Sequence, residues 1–259
     1  MTWPRKSPPR WAPNSRKVPA AAMPAITRIL LKISGEALMG SQTHGLDPQM
    51  LDYVRSEVKK VVDAGIETAI VVGGGNLFRG ISSSAAGLPR HVGDSLGMFA
   101  TLMNATALAG YFNAHGLPSK AFSAFPVGNL LEPFSVDAAR AALSQGKVTV
   151  FGGGTSNPYF TTDTAAVLRA LEISADFLVK ATQVDGIYSD DPKKNPAAEF
   201  LPQITYDEML RLNLRIMDAS AVAIARENRL PVQVVALRTP GAMLAALTGG
   251  AVGSRVVPS

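Results

Sequence analysis

The sequence predicts an α/β protein, a single α/β/α sandwich around a central, mostly parallel sheet. Short apolar runs rich in β-branched residues alternate with helical patterns from residue 26 onward, which is the signature of βα units. Three of those runs end in a glycine cluster or a lysine followed by glycine, at the edge where open α/β sheets bind ligands. With 47% hydrophobic and 17% charged residues in 259, there is material for one sizeable core, and a disordered chain is excluded.

Each element has its own warrant. Strands are expected over 28–34 (RILLKIS) and 66–72 (IETAIVV), both runs of branched apolar residues. Between them a helix over 48–64 takes Asp47 as N-cap and Pro48 at its first position, with Met50, Leu51, Val54, Val58, Val61 and Val62 on one stripe. The alternation continues with a helix near 93–115, a strand over 118–125, a helix near 135–145 and the strand 147–151 (KVTVF). In the first of these helices Met98, Phe99, Leu102 and Met103 read as core, with a subunit contact as the alternative. Thr162 or Asp163 is expected to cap a helix over 163–173. Lys180 is expected to close the strand 176–180 with its charge toward a site or solvent. Asp185-Gly186 reads as a hairpin turn running into Asp190-Asp191-Pro192. Helices near 205–212, 218–228 and 240–248, and strands over 231–237 and 252–257, complete the chain.

Charge and missing residue types narrow the chemistry. Of the 25 Lys and Arg residues, five (Arg5, Lys6, Arg10, Arg16, Lys17) lie in 1–25 without any acid, which leaves 20 basic against 20 acidic residues over 26–259. The folded part is formally neutral, and a nucleic-acid-binding body is not expected. The absence of cysteine removes disulfides, thiolate metal sites and a thiol nucleophile. His44, His91 and His115 never fall at an i, i+4 interval, so no resident metal site is expected. Chemistry is left to Lys, Arg, Asp, hydroxyls and backbone amides.

Residues 1–25 hold six of the 18 prolines together with Trp3 and Trp11, and read as a disordered Pro/Arg-rich extension to a domain spanning 26–259. The prolines deny it the amphipathic helix of a transit peptide. Neither a secretory apolar region nor a membrane-length apolar run is present in the sequence, so no membrane association and a cytoplasmic location are expected. Met23 stands directly before the first strand, and translation from there, with 1–22 dispensable, is one reading of the segment. An intact native mass that retains Trp3 and Trp11 would overturn it.

The strand ends carry the chemistry. Lys32-Ile33-Ser34-Gly35, Gly73-Gly74-Gly75-Asn76 and Gly152-Gly153-Gly154-Thr155 each let a ligand approach backbone N–H groups, and phosphate is the natural partner of such turns. Gly75 and Gly80 have P-loop spacing, but Ile81-Ser82 follows where Lys-Ser/Thr is required, and Phe78 breaks the dinucleotide-binding fingerprint. Gly93-Asp94-Ser95-Leu96-Gly97 matches a hydrolase nucleophile elbow, yet it lacks the preceding strand and is expected on one helix with the only later histidine, His115. Thr155 to Asp163 packs hydroxyls, an amide and a carboxylate between a glycine turn and a helix start.

Taken in order, LLKISGEAL, VVGGGNLFRG, GGTSNPYFTTD, VKATQVDGIYSDDP and MDASAVAIAREN resemble the bacterial-type uridylate kinases (UMP kinases) of the amino-acid-kinase superfamily, over about 26–257. The resemblance implies conversion of MgATP and UMP to MgADP and UDP, with UMP in the N-terminal half and ATP in the C-terminal half. By it, Lys32, Ile33, Ser34, Gly35, Gly75, Arg79, Thr182, Tyr188 and Asp191 match ATP contacts, Arg79 serving either phosphate. Gly74, Asp94, Thr155, Ser156, Asn157, Pro158, Tyr159, Phe160, Thr161 and Thr162 match UMP contacts, with Asp94 toward the ribose hydroxyls. Lys32, Asp163 and Lys180 match the catalytic groups. The family often has Phe at Tyr188 and another small residue at Ser156, both conservative departures. The resemblance also implies Mg²⁺ carried by ATP, a homohexamer, GTP activation and UTP inhibition.

The residue types suit phosphoryl transfer, which needs positioning and positive charge more than covalent catalysis. An acceptor phosphate with second pKa of about 6 is largely a dianion at pH 7 and requires no general base. Asp163 is expected to orient the two lysines, and Asp218 either to share that task or to cap the helix 218–228. A carboxylate kinase of the same superfamily, and a non-catalytic anion-binding or storage protein on the same scaffold, are the competing readings. GGGNLFRG and TSNPYFTTD argue against the first, and the two lysines with Asp163 against the second.

Overall fold

The computed structural model describes residues 26–78, 87–192 and 194–258. The extension 1–25 and Arg79, both singled out above, lie outside those residues. In chain order the elements are β1 (Arg28–Ile33), a 3₁₀ turn (Gly35–Met39), α1 (Pro48–Asp63), β2 (Glu67–Val72), α2 (Arg90–Ala114), β3 (Ser119–Ser123), β4 (Glu132–Pro133), α3 (Val136–Ser144), β5 (Val148–Gly152), α4 (Thr162–Glu172), β6 (Phe177–Thr182), β7 (Ile187–Tyr188), β8 (Phe200–Leu201), β9 (Gln203–Thr205), α5 (Tyr206–Arg211), α6 (Ala219–Glu227), β10 (Val232–Ala236), α7 (Ala242–Leu247) and β11 (Ser254–Val257).

Nine strands form one sheet in the order β4-β3-β5-β2-β1-β6-β10-β11-β9, parallel throughout except where β11 meets β10. Period-two alternation divides the strands between two cores. Ile29, Leu31 and Ile33 of β1 join α1, α2 and α7 on one face, while Leu30 joins α3, α4, α5 and α6 on the other. The sandwich expected from the sequence is what forms. On α1, Asp47 accepts the Gln49 N–H at 2.9 Å as N-cap, and Val54, Val58 and Val61 are fully buried, each contributing about 1.5–3 kcal/mol.

The same alternation places the chemistry. Lys32 shares Leu30's face and Lys180 shares Leu178's, so both point to the α4 side, and the two lysines are register partners on neighbouring strands. The chain leaves β1 toward β2 on one side, whereas β6 borders β10 on the other, so the loops after β1 and β6 diverge and open a crevice.

Several expectations need correction. β6 runs on to Thr182, so Lys180 lies inside the strand and faces a carboxylate. Thr161, not Thr162 or Asp163, caps α4 by accepting the Asp163 N–H. Asp185-Gly186 does not close a hairpin: β7 pairs with β8 across the long loop between Tyr188 and Phe200. The short strands β4, β7, β8 and β9 span too few residues to show any alternation. On α2, Leu102 is core, but Phe99 and Met103 are 53% and 60% exposed.

Candidate active site

At the crevice, Asp163 at the first turn of α4 stands between the two lysines. Lys180 Nζ donates to Oδ2 at 2.7 Å, and Lys32 Nζ forms an ion pair with Oδ1 at 2.9 Å. All three side chains are about 14–15% exposed. Lys180 also donates to the Ile216 carbonyl. Burial pushes the Asp163 carboxyl up, but the charges of Lys32 and Lys180 together outweigh it and hold the group below the usual carboxylate range. Burial pulls the Lys180 ammonium below its ordinary value, and Lys32 pulls it further against the opposing effect of Asp163. A carboxylate held this way is a poor base, and its geometry is that of a clamp on two cations.

Asp218 caps α6 through the Ala221 N–H at 2.9 Å, and also accepts from Thr164 at 2.9 Å and from Thr161. It thereby ties the start of α6 to the turn of α4 that carries Asp163.

Two cavities flank this clamp. The smaller, of about 380 Å³, is lined by Gly74, Gly75, Asp94 and, from the Thr155–Thr162 segment, Thr155, Asn157, Tyr159, Phe160, Thr161 and Thr162. Asp94 Oδ2 accepts the Tyr159 N–H at 2.8 Å and faces Arg90 at 3.6 Å, while the Arg90 guanidinium stands over the Tyr159 ring. The loop is conformationally unusual: Gly153, Gly154, Ser156 and Tyr159 all have positive φ, which is costly for the non-glycine pair and concentrates at functional sites. Thr155 stabilises it by accepting the Asn157 N–H and donating to the Asn157 carbonyl.

The larger cavity, of about 670 Å³, is lined by Lys180, Thr182, Tyr188 and Asp191 from the sequence motifs. Thr182 closes a turn with Val184, and Tyr188 donates to Asp185 at 2.9 Å and meets Phe200 edge-on. Gly35, after β1, packs tightly on the glycine turn after β2: a Cβ there would lie 2.5 Å from both the Gly73 carbonyl and the Asn76 side chain.

The structure places nine of the residues the motifs pointed to on the smaller cavity and four on the larger, whereas Lys32, Ile33, Ser34 and Gly35 line neither, and Ile33 is fully buried in the core on the opposite face of the sheet. Gly75, matched above to an ATP contact, lies on the smaller cavity beside Gly74. Ser156 and Pro158 are in the loop but not on the cavity wall, and Ser95, inside α2, donates to the His91 carbonyl rather than standing at an elbow. Sequence reasoning missed Arg90, Glu36, Met98 and Thr101 on the smaller cavity and the turn 212–216, Arg215 included, on the larger. Arg90 had a signal, an i, i+4 spacing to Asp94; the turn had none. Among the described residues no three His, Asp or Glu side chains converge on a metal position, and none of the helices is long and apolar enough to cross a membrane.

The chain is similar to known proteins over most of its length. The amino acid kinase family pattern matches residues 27–236. A uridylate kinase of Stutzerimonas stutzeri is 45% identical over 240 residues, covering 93% of this chain and 97% of that protein. One from Magnetococcus marinus is 47% identical over 222 residues, covering 86% and 92%. The crystal structure of a UMP kinase from Bacillus anthracis superposes with a TM-score of 0.88 at 33% identity, over 90% of this chain and 97% of that one.

Proposed function

The chain belongs to the amino acid kinase family and, within it, to the uridylate kinases, and we propose that it transfers the γ-phosphoryl group of ATP to UMP, giving ADP and UDP. The observation that carries the reading is the Lys32–Asp163–Lys180 clamp between two cavities. ATP occupies the larger cavity, with Thr182, Tyr188 and Asp191 on the nucleoside side and Lys32, Ile33, Ser34 and Gly35 at the phosphates. UMP occupies the smaller cavity, with Asp94 at the ribose, the Gly74 turn at the phosphate and Thr155 to Thr162 around the nucleotide.

In this arrangement the UMP phosphate attacks the γ-phosphorus, the bond to the β-γ bridging oxygen breaks, and ADP leaves. The acceptor is already an anion, so no side chain needs to remove a proton. Lys32 and Lys180 carry fixed positive charge to the transferring group, and charge placed in advance is the main contribution available to such a reaction. Asp163 keeps the two ammonium groups adjacent despite their repulsion. Mg²⁺ enters with ATP as part of the substrate and neutralises phosphate charge.

We further propose that the enzyme works in the cytoplasm as a homo-oligomer, a hexamer by family resemblance, activated by GTP and inhibited by UTP. The exposed stripe Leu96, Phe99 and Met103 on α2 supports self-association. A coupled ADP-release assay with MgATP against UMP, CMP, AMP, glutamate and N-acetylglutamate, with and without GTP, tests the whole reading. Turnover on UMP alone, raised by GTP, is the expected result. Silence on every acceptor would overturn it in favour of an anion-binding protein.

A further inference from the structure

We propose that α2 fixes the pitch of both glycine turns of the smaller cavity through two buried polar groups, the Asn104 amide and the Thr101 hydroxyl; the inference rests on the reading of that cavity as the UMP site.

Asn104 is fully buried and Asn76 is 3% exposed. Their amides form a closed pair: Asn104 Nδ2 donates to Asn76 Oδ1 at 2.6 Å, and Asn76 Nδ2 donates to Asn104 Oδ1 at 3.1 Å. Each amide nitrogen spends its second hydrogen on a backbone carbonyl. Asn104 holds Gly73 at 2.7 Å and Asn76 holds Gly45 at 2.8 Å. Both orientations are thereby dictated, because turning either amide would set oxygen against oxygen. A trans peptide that aims the Gly73 carbonyl at α2 aims the Gly74 N–H the opposite way. Asn104 therefore sets the direction of the first amide in the glycine turn.

One helical turn earlier, Thr101 does the same for the second glycine turn. Its hydroxyl donates to the Met98 carbonyl at 2.7 Å and accepts the Gly153 N–H at 2.8 Å, fixing the residue that starts the run of positive φ. Both turns press directly on this stretch of helix. A Cβ at Gly74 would lie 2.8 Å from Ala100 Cβ and from the Gly97 carbonyl, and one at Gly152 would lie 2.9 Å from Leu102 Cα. Space filling alone would be met by apolar side chains without burying two amides. What the polar groups add is direction, and anion recognition by backbone N–H groups depends on it.

The test uses Thr101→Val, which keeps the shape and removes the acceptor, Thr101→Ser, which keeps the acceptor, and Asn104→Leu. Readouts are KM for UMP and for ATP, kcat, and calorimetric UMP binding without ATP. Thr101→Val is expected to raise KM for UMP and weaken UMP binding about tenfold, as for one lost buried hydrogen bond, and Asn104→Leu, which removes three, at least as much, with KM for ATP within about twofold in both. Thr101→Ser is expected to recover most of the loss. Unchanged UMP binding in both variants, equal rises in both KM values, or Thr101→Ser as poor as Thr101→Val would overturn the proposal. If Asn104→Leu fails to fold, the Thr101 pair decides alone. Wild-type protein that neither binds nor phosphorylates UMP would overturn the substrate reading instead.

Discussion

The two cavities are built by opposite means. The smaller is walled largely by backbone: glycine turns after β2 and β5, pressed on α2, and a loop held in positive φ by its own hydrogen bonds. The larger is walled by side chains and by peripheral pieces, the β7–β8 ribbon and the 212–216 turn, which lie off the main sheet or at its edge. The difference teaches where precision is needed. An acceptor phosphate that must meet the γ-phosphorus in line calls for rigid amides. A nucleoside held at a distance from the transfer tolerates a looser wall.

The strongest way to break that comparison is at the clamp, whose Lys180 lines the larger cavity and whose Asp163 follows Thr162 on the wall of the smaller. Lys32→Ala or Lys180→Ala is expected to lower kcat by roughly 10²–10³-fold or more, the scale of losing one preorganised charge contact, with circular dichroism unchanged. Near-normal turnover in either would remove that lysine from the chemistry. Asp163→Asn leaves two adjacent, largely buried ammonium groups uncompensated, and is expected to cost about 3 kcal/mol of stability as well as activity.

Asp94 sharpens the contrast between sides. Its carboxylate accepts a loop amide and lies 3.6 Å from Arg90, entirely on the smaller cavity. Asp94→Asn removes a charged acceptor worth about 1.5–3 kcal/mol, so KM for UMP is expected to rise about 10–100-fold while KM for ATP stays. An effect confined to ATP would exchange the two cavities.

Why one side was legible in the sequence and the other was not follows from the same difference. Gly74, Gly75 and Gly152 to Gly154 stand out because a tight approach of backbone leaves no room for Cβ, and Lys32 and Lys180 because a charge interrupts an otherwise apolar parallel strand. Asp218 was legible as a helix cap, but not its grip on Thr161 and Thr164, which comes from packing α6 on α4. The β7–β8 pairing joins residues more than ten apart without periodicity, and the 212–216 turn contributes through tertiary placement. Phe99 and Met103 are exposed, not core, which leaves the subunit-contact alternative, because a helix stripe shows which residues are apolar and not what covers them.

The ionisation of the clamp gives a subtler test. The lowered Asp163 carboxyl contributes stability that is fully present above its ordinary value of 3.8 and is lost as pH falls through its depressed value. For Lys180 the sign reverses. Its ammonium is disfavoured in the fold, so between its lowered value and 10.5 the unfolded chain binds more protons and this group makes stability rise with pH. A triphosphate beside it favours the charged form. ATP binding at alkaline pH is therefore expected to take up protons, measured as calorimetric heats that differ between buffers of unlike ionisation enthalpy; proton release would contradict the assignment.

The smallest expected effect lies at the far end of the larger cavity. Tyr188 spends its hydroxyl on Asp185 at 2.9 Å and packs its ring against Phe200 at 5.4 Å between centroids. Because Asp185 holds the proton on, the phenol pKa is raised, and the group stays neutral across the working range. On the proposed reading its contribution to the nucleotide is that of a flat apolar surface, which phenylalanine supplies equally well. Tyr188→Phe is expected to change KM for ATP by less than about threefold, since the ring is kept and only an exposed, solvent-screened bond to Asp185 is lost, whereas Tyr188→Ala, which removes the ring, is expected to raise it further. If phenylalanine proves as damaging as alanine, the hydroxyl reads the nucleotide directly, and the larger cavity is as exacting as the smaller one.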